Sequence, residues 1–381
     1  MREGWREFKL REVADVVTGS TPASSDEDNW GSGIPFLTPS DMDDVVYSPT
    51  SARRLSPQAE ARMSRRIVAS PGTAVVCIGA TIGKVARITV PTLTNQQINT
   101  VVPRPEVLDD LYCFYAMQPL RQHLQSIASG SATPLLNKTR FAEVAMFIPP
   151  LIEQRRIAGV LGALDDLIDT NKRLANSCAK LRQAMVGKAL TEATGAQPLS
   201  TLASFVNGKN FTKDASGTGR PVIRTPELRR GPSDGTIWSD VDADPSNVAK
   251  RGDILFVWSG SLLVDRWLYE DGLVNQHIFK VTPNKDVPAW LVLALIEFQM
   301  PWFLGLAADK ATTMGHIQRG HLNEPVPLLA GTELERLNSV VRPLWDQELE
   351  CRTEGLKLAN TRDQLLPLLL SGAVTVAEVA A

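Results

Sequence analysis

The sequence predicts an α+β protein made of two copies of one unit, a strand-rich globular part followed by a long helix, with the two helices packed on each other. Three observations carry this. Segments of the first half recur in the second at a constant offset. Each copy opens with short runs of Val, Ile and Thr bounded by Gly, Pro and Asn, the signature of strands. Each closes with a long apolar stripe at helical spacing.

The repeat comes first. KLREVADVVTG (Lys9 to Gly19) is echoed by PLSTLASFVNG (Pro198 to Gly208), and IPFLTPSDM (from Ile34) by PVIRTPEL (from Pro221). Gly72 and Gly252, Asn95 and Asn275, Phe141 and His321, and Arg182 and Arg362 are each 180 residues apart. The first echo stands 189 apart, so the first copy carries a short insertion before Gly72. An offset held over such a length is the mark of duplication rather than of shared composition.

Within each copy, IPFLT, TAVVCIGA, KVARITV and INTVVP read as strands, as do DILFVWSG, LLVDRWLYE and HIFKVTP. LYCFYAMQPLRQHLQSIA and AWLVLALIEFQMPWFLGLAA read as helices of the globular parts, which Pro119 and Pro301 should kink or end. The closing helices are expected over about 151–190, after Pro149-Pro150, and about 332–370, opened by the capping box of Thr332 and Glu335. Leu337, Leu344, Cys351, Leu358 and Leu365 follow an unbroken seven-residue spacing, matched in the first copy by Ile157, Leu164, Asn171, Cys178 and Met185. Val160, Leu161, Leu167, Ile168, Leu174 and Leu181 are expected to widen that stripe, and Pro343 to kink the second helix. A helix of about 39 residues is roughly 58 Å long and outruns a 150-residue domain, so each needs a long partner. The obvious partner is its own copy. Asn171 is either a polar register device in the seam or a residue at its solvated margin.

Composition narrows the function. The 381 residues are 43% hydrophobic and 22% charged, with four scattered cysteines and four histidines in no metal-ligand spacing, so neither a disulfide framework nor a metal centre is expected. No apolar run approaches the roughly 18–20 residues of a membrane span, and the start lacks a signal-peptide pattern, which points to the cytosol. GATIGKV (Gly79 to Val85) fails the phosphate-loop pattern: three residues separate its glycines, Val85 follows Lys84, and a strand comes next. No motif for a dinucleotide, base methylation, hydrolysis or nuclease chemistry is present, and two near-equivalent halves with different polar loops fit reading two targets better than running one reaction. A net charge of −2 is unusual for a free-standing DNA binder.

The strand ending in GATIGKV, the following TNQQINTVV, and the run GSATPLLNKTRFAEVAMFIPPLIEQRRIAGVL together resemble the specificity subunit of Type I restriction–modification systems. The second copy departs from that pattern, with LAGTELERL in place of PPLIEQRRI and SGSLLVDRW in place of GATIGKVAR. The resemblance implies target-recognition domains at 1–150 and 191–330, a central helix at 151–190, a C-terminal helix at 331–371 and a tail at 372–381. It implies that the helices pair as an antiparallel coiled coil. It also implies partners: double-stranded DNA, two methyltransferase subunits docked on the helices, and restriction subunits in the full complex. S-adenosylmethionine, ATP and magnesium would then belong to those partners, and this chain would hold no cofactor. The near-neutral charge is consistent with phosphate contacts made largely by the methyltransferases.

Candidate DNA contacts follow by residue type. Thr38, Ser40 and Asp41 follow one strand, and Arg224 and Thr225 its echo. Thr81 and Lys84, with Ser259 and Ser261 opposite, stand in Gly-containing turns open to a phosphate. Gln96 and Gln97, with Gln276 and His277, either contact base edges or only fix a turn. Arg62, Arg65 and Arg66 suit phosphates or form a surface charge run, and Lys310, Thr312, Thr313, His316 and Arg319 form a comparable polar loop. Two other readings stand beside this one: a subunit serving a fused methyltransferase–nuclease, and an interaction scaffold with no DNA role.

Overall fold

The computed structural model describes residues 4–43, 45–47, 49–69, 71–130, 133–213, 215–308 and 317–379. The chain divides into two compact units. One comprises Met1–Asp169 with Lys357–Ala381, and the other Thr170–Leu356. Each long helix, Leu151–Glu192 and Gly331–Leu370, contributes a segment to both.

In the first unit a five-stranded sheet runs in the order 14–18, 98–103, 72–76, 85–88, 45–46. A four-stranded sheet follows the order 53–55, 30–37, 92–94, 67–68, and Arg6–Lys9 pairs with Ala145–Ile148. Part of the insertion inferred from the drifting offset falls where this copy carries the helix Pro57–Met63 and the second only the single turn Pro245–Asn247. The second unit repeats the plan with two four-stranded sheets, ordered 203–207, 278–283, 254–257, 263–266 and 238–239, 220–223, 272–274, 248–249. Gly195–Pro198 pairs with Pro325–Leu328, echoing the two-stranded ribbon of the first copy.

The helix segments pair inside each unit, and in the second their direction is explicit. Asn171 lies opposite Gly355, at 3.9 Å from where a Cβ there would stand, and Arg182 reaches Glu348. Numbers climb on one helix as they fall on the other, so the pair is antiparallel. In the first unit Arg362 pairs with Asp165 at 2.5 Å, and Leu369 joins Ile157 and Leu161 in the core.

The stripe is only partly as the spacing predicts. Ile157, Cys178, Leu337 and Cys351 are buried, while Leu164, Asn171, Met185, Leu344, Leu358 and Leu365 are half-buried. Leu167, Leu174 and Leu181, expected to widen the seam, are 51%, 43% and 50% exposed. Leu161 is buried as expected, but beyond it the seam turns through buried Asp165, Ala175, Arg182 and Val186, so part of the face the leucines were expected to fill is polar. The C-terminal helix passes through Pro343 without a break, and Pro301 lies inside the helix Ala289–Ala308. Replacing Leu337, 1% exposed, with alanine should cost about 2–5 kcal/mol in chemical denaturation, and Leu344→Ala clearly less. A cost at Leu344 matching that at Leu337 would contradict this seam.

Two further expectations change. Val376–Val379, placed in a tail, forms a short helix whose Val376 and Val379 pack against the first unit's core. The helix Ala289–Ala308 does hold an 18-residue window, Ala289–Leu306, apolar enough to span a membrane, with mean hydropathy 1.6. Trp290, Val292, Leu295, Ile296 and Phe303 set one side of it in the second unit's core, while Phe298, Trp302 and Leu304 stay exposed.

Candidate nucleic-acid interface

Both units build the same frame at one end of their main sheet. In the first, the antiparallel strands Gly72–Val76 and Val85–Ile88 are joined by a turn in which Gly79 and Gly83 have φ of 93° and 88°. A Cβ on Gly83 would stand 2.5 Å from the Arg121 side chain and 2.9 Å from its Cα, so a larger residue is excluded there. A strand follows Lys84, so the turn does not itself open a helix as a phosphate loop would. Next to it, the Asn95 side-chain oxygen accepts from Gln97 N at 2.7 Å and Ile98 N donates to Asn95 O, so Asn95 fixes its own turn. Cys77 N donates to Gln97 O at 2.8 Å and binds the two turns together. Asn95 N donates to Leu37 O at 2.8 Å, which brings up Thr38, Ser40 and Asp41.

Thr81, Lys84, Gln96, Gln97, Thr38, Ser40 and Asp41 are thereby gathered, although they are scattered in sequence. Arg66 arrives at the same edge by donating to Thr18 O at 3.2 Å, beside the point where Ser20 N bonds Thr94 O. Arg62 does not join them: it donates to Asn29 Oδ1 and lies 4.0 Å from Asp26, and Arg65 is exposed elsewhere on that segment.

The second unit repeats these bonds with different side chains. Trp258 N donates to His277 O at 3.1 Å, Asn275 Oδ1 accepts from Gln276 N at 2.9 Å, and Asn275 N donates to Ile223 O at 3.1 Å, bringing up Arg224 and Thr225. Ser259 and Ser261 occupy the turn, and Gly260 has φ 75°. Arg319 donates to Phe205 O at 3.1 Å, and Ile317 N to Trp258 O at 2.9 Å. Lys310, Thr312, Thr313 and His316 lie outside the described residues.

The polar ends are not equally available. Asp41 accepts from Thr38 N and Oγ1 and from Ala52 N, a local cap. Lys84 donates to Met42 O, and Arg224 forks onto Glu227 at 2.6 and 3.0 Å while reaching Gly235 O. These three shape their loops. Ser40, Gln96, Ser261, Gln276 and His277 are exposed. Residue-type reasoning missed Asn207 and Trp258. The Trp258 indole donates to Asn207 Oδ1 at 2.8 Å, and its ring lies against Phe279 and His277 beside a cavity of about 390 Å³ lined also by Ile317 and Arg319. The available signal was the echo itself, in which Asn207-Gly208 repeats Thr18-Gly19.

Residues 2–178 match the family model described as the Type I restriction modification DNA specificity domain. The chain is 23% identical to the Type I restriction enzyme MjaIX specificity subunit of Methanocaldococcus jannaschii, over 98% of this chain and 94% of that one. It is 29% identical to the HindI specificity subunit of Haemophilus influenzae over 45% of this chain and 38% of that one. The fold is similar to the crystal structure of the Type I restriction–modification S subunit from M. genitalium, with a TM-score of 0.64 at 15% identity over 96% of each chain.

Proposed function

The chain belongs to the family of Type I restriction–modification specificity subunits, and on that premise we propose that it reads a bipartite double-stranded DNA target, one half-site per globular part. The observation that carries this is the duplicated turn frame: the backbone bonds from Cys77 to Gln97 and from Asn95 to Leu37 recur from Trp258 to His277 and from Asn275 to Ile223, presenting Gln96, Gln97, Thr81 and Ser40 in one unit and Gln276, His277, Ser259 and Ser261 in the other. A shared frame with divergent side chains suits two readers of two different sequences. Side chains of this kind recognise base edges, while backbone-directed residues such as Arg66 suit phosphates.

Two methyltransferase subunits dock on the long helices in this reading, and restriction subunits join the full complex. Leu167, Leu174 and Leu181, exposed at seven-residue spacing on the central helix, support a partner there. The chain itself catalyses nothing and works in the cytoplasm, with S-adenosylmethionine, ATP and magnesium held by its partners. Two modest half-site affinities on one scaffold combine through effective concentration into one specific interaction.

Exchanging residues 1–150 for those of a relative should change one half of the methylated motif and leave the other intact, as read by sequencing modified bases in a host expressing the hybrid with its methyltransferase. A simultaneous change in both halves would sink the idea of one reader per half-site.

A further inference from the structure

The two reading turns leave their frames differently. In the first unit the exit strand Val85–Ile88 has a neighbour on each side, Gly72–Val76 and Val45–Val46. In the second, the exit strand Leu263–Arg266 is the edge of its sheet and, among the described residues, is bonded only to Ile254–Val257. A turn that leads into an edge strand has lost the ladder that would fix its far side.

The C-terminal helix supplies the missing hold. Arg352 forks onto Asp265, Nη1 to Oδ1 and Nη2 to Oδ2, both at 2.7 Å. The next residue, Arg266, lies with its guanidinium 3.8 Å from the Trp345 ring centroid, donates to Trp345 O at 2.8 Å and pairs with Glu348 at 3.2 Å. A two-bond fork between planar groups sets rotation as well as distance, which a single contact does not. The first copy lacks this fork: Val85 and Ala86 are buried at the two repeat positions and Lys172 stands where the repeat places Arg352, while Arg87 of its exit strand lies over Tyr47, which donates to Asp166 of the central helix at 2.9 Å.

We propose that Asp265 and Arg352 are positioning residues, holding the Trp258–Leu262 reading turn in register with the helix and so setting where the second half-site is read. This rests on the reading that the turn faces DNA. The fork is 29% and 26% exposed, and a comparison of spacers separates its role in placement from any cost in stability, which would act on all spacers alike.

The test expresses the full chain with its methyltransferase on DNA in which both half-sites are kept and the spacer is one base pair shorter, native or one longer. Asp265→Asn and Arg352→Gln should each raise methylation at the wrong spacers, relative to the native one, by roughly two- to five-fold. Arg352→Lys, which keeps a cation facing both Asp265 and Glu348 but loses the two-bond fork, should raise methylation at the wrong spacers less than Arg352→Gln does. A merely structural role would lower methylation at all spacers in proportion, and that result, or an unchanged ratio in both single variants, overturns the proposal. A wild-type chain with no half-site preference would instead overturn the DNA-reading premise.

Discussion

Truncating Glu348 to alanine is expected to destabilise the second unit by about 3–5 kcal/mol. Glu348 is buried and answers three guanidinium groups: Arg182 at 3.4 Å, Arg266 at 3.2 Å and Arg352 at 3.8 Å. Arg182 and Arg266 are 2% and 1% exposed, so water cannot replace the lost carboxylate. Arg182 would keep Glu297 at 3.1 Å, and Arg266 only the Trp345 carbonyl and ring. Burial pushes the Arg266 guanidinium below the usual arginine range against the attraction of Glu348, so removing Glu348 leaves a buried cation without its counter-charge. Burying unlike charges yields little net stability over apolar packing, whereas orphaning one is costly. A combined Arg182→Met, Arg266→Met, Glu348→Leu variant should therefore recover most of the loss. Urea midpoints of the three proteins decide the matter, and a shift under 1 kcal/mol for Glu348→Ala would show the cluster to be effectively solvated.

Lengthening both long helices by one heptad should widen the unread spacer of the target by about three base pairs. Seven residues add about 10 Å of helix, and base pairs rise about 3.4 Å. The insertions belong between Asp169 and Thr170 and between Leu356 and Lys357, where the compact units divide. Placing one near the end of the first helix would break a core instead, since Ala189 and Leu190 are buried among the second unit's apolar residues. A heptad returns the stripe nearly to its original face, and changing both helices keeps Asp165 with Arg362 and Arg182 with Glu348. Lengthening one helix alone should cost the fold. Modified-base sequencing should show unchanged half-sites and the longer spacer. An unchanged spacer would mean that partner subunits set the separation.

The gathering of the candidate interface shows where residue reasoning stops. Gln96 and Gln276 stood out by type and ended exposed, but Asp41 and Arg224 were equally suggestive and turned inward to cap their own loops. A carboxylate three residues after a threonine serves an N-cap as well as a base, and only the backbone path decides between them. Trp258 carried no signal of its own, because a tryptophan in a strand pattern reads as core until its neighbours are known.

By itself the sequence determined the duplication, the strand-rich units, the two long helices and their mutual packing, since periodicity and offset are properties of the chain alone. Tertiary structure decided which turn of each helix faces its partner. It left Leu167, Leu174 and Leu181 outside and drew Arg182, Glu348 and Asp165 inside. A seven-residue spacing names a face of a helix but not what lies against it. A buried charge becomes tolerable only when opposite charges arrive from elements far away in sequence, as Arg266 and Glu297 do here. No local pattern records that meeting.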